Sequence, residues 1–153
     1  LTFLREVDTI NMRRRTRMVE LATTACGGSL LGANVAVLGA AFKPESDDVR
    51  DSPALDVATR LRELGAIVSA TDPEAIETSR RVHPELDYVA TADEAAREAD
   101  VVILLTEWSQ FRELDPEALG ALVANRSIID GRNVLDPVRW RAAGWAYRGL
   151  GRP

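Results

Sequence analysis

Three cations, Lys43, Arg50 and Arg132, sit in stretches whose neighbours restrict the backbone. Lys43 lies between Phe42 and Pro44. Arg50 precedes Asp51-Ser52-Pro53. Arg132 lies in Asp130-Gly131-Arg132-Asn133, where Gly permits a tight turn and Asn tolerates left-handed geometry, so the arginine is expected to be held in place. Guanidinium and ammonium groups donate charge-assisted hydrogen bonds to phosphate oxygens, so three of them near one crevice would suit a phosphate-bearing ligand. An aromatic beside Lys43 could line a base or sugar pocket. Taken one at a time, the same residues also read more plainly. Lys43 is then an exposed loop lysine, and Arg50 pairs locally with Asp48 or Asp51.

The elements around them must bring these loops together. Val35–Leu38 is an apolar run of strand length, and the loop from Gly39 to Asp51 follows it. Ser52 then caps a helix that has Pro53 at its first position, where the missing N–H costs nothing. That helix runs to about Leu64, with Leu55, Ala58 and Leu61 on one face, and Gly65 stops it. A strand over 67–71 ends at Asp72-Pro73. A helix follows over 74–82, then at best a short strand over 87–89 and a short helix over 93–99. Val101 to Leu105 is a continuous apolar run, as expected of a strand buried on both faces. Its strand-end loop spans 106–111. Asp115-Pro116 caps a helix to about Val123. A strand over 127–130, the loop 131–133, a helix over 138–143 and a strand over 145–148 complete the chain. Strands alternating with helices predict a parallel, doubly wound α/β sheet. Right-handed crossovers would set the loops 42–50, 106–111 and 131–133 on one edge.

Before the first strand, Leu4, Val7, Asn11, Arg14, Met18, Leu21 and Ala25 follow helical spacing. The face turns polar at Asn11 and Arg14, either to meet another segment or simply to face solvent. Arg13, Arg14, Arg15 and Arg17 read as a solvated helix face or as a partner or phosphate contact. Gly27, Gly28 and Gly32 end the helix. The chain begins at Leu1, and its first residues already read as mid-helix, so a piece of a longer protein is expected.

Composition excludes several classes of function. A net charge of −5 argues against a broad basic surface for nucleic acid. No apolar run approaches the length of a membrane span, and no signal peptide is visible. The 153 residues, 46% hydrophobic and 28% charged, suit one globular domain with an appendage. A single cysteine cannot form an internal disulfide and is compatible with the cytoplasm. Cys26 follows a helix, where the dipole disfavours a thiolate, and reads as structural. His83 has no clustered ligands around it for a metal. Trp108, Trp140 and Trp145 read as packing. The first strand leads into Gly39-Ala40-Ala41 and lacks the Gly-x-Gly-x-x-Gly turn, so the main site for a dinucleotide is not expected here.

Four stretches carry a resemblance. They are Gly39–Pro44 continuing through Asp47–Leu55, Asp72-Pro73, Thr106-Glu107-Trp108 with Phe111, and Asp130–Asn133. In order and spacing they resemble the UDP-glucose/GDP-mannose dehydrogenase family, over nearly all of the chain. The resemblance implies a Rossmann-like, three-layer domain over 33–153 that binds the UDP-sugar. Residues 1–32 would be the end of the family's long central helix and its turn, the segment through which members dimerise. By position, Phe42, Lys43 and Arg132 would contact the nucleotide sugar, and Arg50 would reach NAD, which is bound mainly by an N-terminal domain. The family reaction oxidises a sugar C6 alcohol twice, with two NAD molecules and a cysteine nucleophile. That cysteine's Gly-Gly-Ser-Cys-Phe-Pro-Lys context does not occur here, nor do the catalytic lysine and asparagine. The chain by itself is therefore expected to lack catalysis. Among family activities the best match is oxidation of UDP-glucose to UDP-glucuronate. The alternatives are a GDP-mannose or UDP-N-acetyl amino sugar substrate, or a stand-alone nucleotide-binding module.

Overall fold

In the computed structural model, which describes residues 2–41, 49 and 51–151, six parallel strands form one sheet in the order β3-β2-β1-β4-β5-β6. The strands are β1 (Asn34–Leu38), β2 (Ile67–Thr71), β3 (Asp87–Tyr88), β4 (Val101–Leu104), β5 (Ser127–Asp130) and β6 (Ala146–Gly149). From β1 the chain winds outward through β2 and β3. It then returns to β1's other side and winds out through β4, β5 and β6. The winding reverses between β1 and β4, and in open α/β sheets ligands bind in the crevice beyond the strand ends at such a point.

Alternation along each strand divides the core between two faces. Val35, Val37, Val68, Ala70, Val101, Ile103 and Ile129 pack on one side. There they meet Met18, Leu21 and Ala22 of α1 (Thr2–Ala25) and Leu55, Ala58 and Leu61 of α2 (Pro53–Glu63). Ala36, Leu38, Val102, Leu104 and Ile128 pack on the other. Their partners come from α4 (Ala92–Ala96), α5 (Ser109–Arg112), α6 (Pro116–Gly120) and α7 (Pro137–Ala142). All three tryptophans are buried in this second layer, in keeping with their reading as packing residues. Trp140 and Trp145 meet edge to face at 5.0 Å, and the indole of Trp145 donates to the Pro116 carbonyl at 2.9 Å. Every residue of β4 is buried, which is why its sequence is apolar without alternation.

Helix boundaries differ from the sequence expectations where a local bond intervenes. α3 (Ile76–Val82) starts late because the Asp72 carboxylate takes the N–H groups of Glu74 and Ala75. α4 starts at Ala92, capped by Thr91, and ends early. Glu98 then adopts φ +61° and its N–H donates to the Leu122 carbonyl. α6 ends at Gly120 and not near Val123, because Ala124 and Asn125 turn to donate to Ala99. Within the stretch 106–111, expected to be loop, a single helical turn forms around buried Phe111. Ser52 caps α2 and Pro53 opens it, as the spacing predicted.

α1 has 24 residues, about 36 Å of helix. Among the described residues, its last turns pack on the sheet through Met18, Leu21 and Ala22. Arg15 pairs with Asp56 at 3.2 Å, and Arg60 donates to Thr16 at 3.2 Å. Asn11, Arg13, Arg14 and Arg17 are exposed, as are Ile10 and Met12. No helix among the described residues is long and apolar enough to cross a membrane.

The amino edge of the sheet holds Cys26, which shares a shallow cavity with Ala33, Asp100 and Asn125. Burial pushes its thiol above the ordinary range, and the Asp100 carboxylate adds to the shift. This places Cys26 at the edge opposite the strand-end loops, in a setting that suppresses the thiolate. Labelling by a neutral thiol reagent at pH 7 is expected to run slower than for a free thiol and to accelerate as pH rises. A rate equal to or above the free thiol's contradicts this.

The carboxyl edge has its tightest point at Gly39. This residue adopts φ +113°, and a Cβ there would lie 2.8 Å from the Thr106 Cβ and closer still to its Oγ1. Gly39→Ala is therefore expected to cost about 2–4 kcal/mol in urea denaturation, from both overlap and backbone strain. A loss within about 0.5 kcal/mol, the range of ordinary surface substitutions, contradicts the close approach.

Candidate functional site at the carboxyl edge of the sheet

Phe42, Lys43 and Arg50 lie outside the described residues, but both feet of their loop are described. At the first foot, the Gly39 N–H donates to the Thr71 carbonyl at 2.8 Å. Ala40 and Ala41 donate to Asp72 Oδ2 at 2.8 and 3.0 Å. The other oxygen, Oδ1, accepts from Glu74 and Ala75, both at 2.9 Å. Asp72 is 2% exposed, so this carboxylate trades its water for four backbone donors. At the second foot, the Ser52 N–H donates to the Val49 carbonyl at 3.2 Å. The Ser52 hydroxyl donates to the Ala40 carbonyl at 2.6 Å and accepts from the Leu55 N–H at 3.2 Å. One side chain thus caps α2 and ties the end of the loop back to its start.

This arrangement explains the missing glycine fingerprint in physical terms. In a dinucleotide turn, the backbone N–H groups after β1 face a pyrophosphate, and an acidic residue at the end of β2 takes a ribose hydroxyl. Here the acidic residue at the end of β2 turns inward and takes the N–H groups of Ala40 and Ala41. The turn therefore does not fit a dinucleotide pyrophosphate.

The loop after β5 repeats the device. Asp130 is completely buried at the strand's end. Its Oδ2 accepts from the Leu135 N–H and the Tyr147 hydroxyl, each at 2.8 Å, and its Oδ1 accepts from the Arg132 N–H at 3.2 Å. Asn133 adopts φ +55° and donates from Nδ2 to the Leu150 carbonyl at 2.8 Å. Gly131 admits the close approach of the strand ends. A Cβ there would lie 2.8 Å from Met18 Cε and 2.9 Å from the Leu104 carbonyl oxygen. The backbone of Arg132 is thus held on both sides, as the Asp-Gly-Arg-Asn spacing suggested.

Between these loops lies the one after β4. Thr106 is buried against Gly39, and its hydroxyl has no hydrogen-bond partner among the described residues, nor has the buried indole N–H of Trp108. Glu107 Oε1 accepts from Arg132 Nε at 3.2 Å and from Nη2 at 2.9 Å. Its Oε2 lies 3.4 Å from Arg112 Nη2 in α5. Of the expected juxtaposition, the loops 106–111 and 131–133 meet through Glu107 and Arg132, while 42–48 and 50 lie outside the described residues and Gly39, ahead of them, meets Thr106. Sequence reading singled out Arg132 but gave no role to Glu107, Asp72 or Asp130. The usable signal for Glu107 was opposite charge just past the ends of two strands, once those strands are known to be neighbours.

Residues 36–137 match the family described as "UDP-glucose/GDP-mannose dehydrogenase family, UDP binding domain". The UDP-glucose 6-dehydrogenase of Rhizobium meliloti is 38% identical over 144 residues, which cover 94% of this chain and 33% of that protein. The enzyme of the same name from Rickettsia prowazekii is 37% identical over 150 residues, 97% of this chain and 35% of that protein. Among solved structures, a UDP-glucose dehydrogenase from Pyrobaculum islandicum superposes with a TM-score of 0.82 at 34% identity, covering 96% of this chain and 32% of that one. A UDP-D-ManNAc dehydrogenase from Pyrococcus horikoshii has the same TM-score at 26% identity, covering 99% of this chain and 34% of that one. The chain spans about a third of the length of these relatives. The strand-end loops that meet at the winding reversal fall within the matched stretch, and the chain belongs to the UDP-glucose/GDP-mannose dehydrogenase family, of which it carries the UDP-binding domain.

Proposed function

We propose that this chain is the nucleotide-sugar-binding part of an NAD-dependent UDP-glucose 6-dehydrogenase that works in the cytoplasm. The observation that carries the reading is the carboxyl edge itself. Two loops are pinned by buried carboxylates there, and a backbone-anchored arginine stands beside the winding reversal. Such an edge presents fixed donors to an anion while keeping the loop feet dry.

In this reading Arg132 donates to the bound nucleotide sugar, and Lys43 adds a second cation to it. Phe42 lines the sugar or base side, and Arg50 extends toward NAD. When bound, NAD accepts the hydrides released from the sugar carbon. The turn after β1 cannot cradle its pyrophosphate, so the cofactor is held mainly by another domain of the whole enzyme. The chain binds and orients substrate and supplies no nucleophile, since Cys26 sits at the opposite edge with its thiol pushed up. The exposed Ile10 and Met12 of α1 suit pairing with a second copy in the whole enzyme.

The likeness to the Pyrococcus horikoshii enzyme keeps a UDP-N-acetyl amino sugar as the second reading. Calorimetric titration with UDP-glucose and, separately, GDP-mannose tests the proposal. UDP-glucose is expected to bind at least about 10-fold more tightly, and Lys43→Ala to weaken it by about 5- to 20-fold, as for loss of a charge-assisted phosphate contact. Equal affinity for the two sugars, or an unaffected Lys43→Ala chain, contradicts it. Reduction of NAD by the chain alone with UDP-glucose would contradict its purely binding role.

A further inference from the structure

Arg132 is held at two levels, and the second has no counterpart in the sequence motif. Its backbone is fixed by Asp130 and by the left-handed turn at Asn133. Its guanidinium is fixed by Glu107, a residue on the neighbouring strand-end loop. Two N–H groups of one guanidinium converge on a single oxygen, Oε1, at 3.2 and 2.9 Å. The second carboxylate oxygen faces Arg112 at 3.4 Å. Arg112 belongs to the helical turn anchored by buried Phe111. Glu107 therefore sits between two guanidinium groups, one on each of its carboxylate oxygens. The Nη1 group of Arg132 has no partner among the described residues, and its side chain is about half exposed (49%).

An isolated surface ion pair contributes little to stability. Its effect on binding is a separate matter. A free arginine side chain carries considerable rotamer entropy, which a ligand must remove unless the protein has already removed it. We infer that Glu107 is a positioning residue: it presets the Arg132 guanidinium so that its open Nη1 edge meets the phosphate oxygens of the nucleotide sugar. The inference rests on the reading of Arg132 as a nucleotide-sugar contact and adds the residue that sets its geometry.

A double-mutant cycle with UDP as probe tests it on the intact chain. The variants are Glu107→Gln, Arg132→Ala and the pair. Glu107→Gln removes the charge that holds both donors and keeps the side-chain shape. It is expected to raise the Kd for UDP about 3- to 10-fold, and Arg132→Ala about 10- to 30-fold. In the Arg132→Ala background the Glu107→Gln effect should shrink below about 2-fold, because there is no guanidinium left to position. The same loss in both backgrounds makes Glu107 a support of the fold and overturns the inference, with the UDP reading intact. Tighter UDP binding by Glu107→Gln makes the carboxylate a competitor for Arg132 and also overturns it. Failure of the unaltered chain to bind UDP removes the binding reading itself, and the inference with it.

Discussion

The Asp72 carboxylate is the constraint on which the edge depends. It lies at the end of β2, out of water, and accepts four backbone N–H groups from two different segments. Three of those donors, the N–H groups of Ala40, Ala41 and Ala75, are buried, and an unpaired buried N–H is expensive. One residue thus closes the turn after β1 and sets the start of α3. It also gives the turn a fixed anion of its own. A fold that elsewhere receives a dinucleotide phosphate at this point keeps it shut here, and any anionic ligand must be met by side chains farther along the loops.

The rest of the edge is built to the same plan. Asp130 does for the β5 loop what Asp72 does for the β1 loop, and Ser52 joins the two feet of the β1 loop. Gly39 and Gly131 let the ends of β1, β4 and β5 approach more closely than any side chain would permit. The apolar alternation of the strands holds these ends in register, since a slip of one residue would exchange the two core faces. Stability and presentation of the site are therefore coupled: the groups that orient Arg132 also satisfy the buried backbone around it.

Much of this was legible in the sequence. The strand Val35–Leu38, the cap at Ser52-Pro53 and the buried run from Val101 announce themselves by pattern, because burial and capping act on local residues. The turn at Gly131–Asn133 was legible for the same reason, as its left-handed Asn133 reflects a local preference. What escaped were bonds between residues distant in the chain. Asp72 holds Ala40 across 32 positions, and Glu107 holds Arg132 across 25. No periodicity encodes such pairs; they exist only once the strand order makes neighbours of β1 and β2, and of β4 and β5. The stops of α4 and α6 were hidden likewise, since Glu98 bonds Leu122, and Ala124 and Asn125 bond Ala99, between separate elements.

In the proposed reading, the carboxyl edge at the β1–β4 reversal, and no other surface, receives the uridine diphosphate group. The most direct measurement is nuclear magnetic resonance mapping of backbone amide shifts during titration with UDP. The perturbed amides are expected to cluster at Gly39–Ala41, Thr106–Trp108 and Gly131–Asn133, with the amino edge from Gly27 to Ala33 unchanged. Shifts centred on that amino edge or along α1, with the three strand-end loops silent, would contradict it.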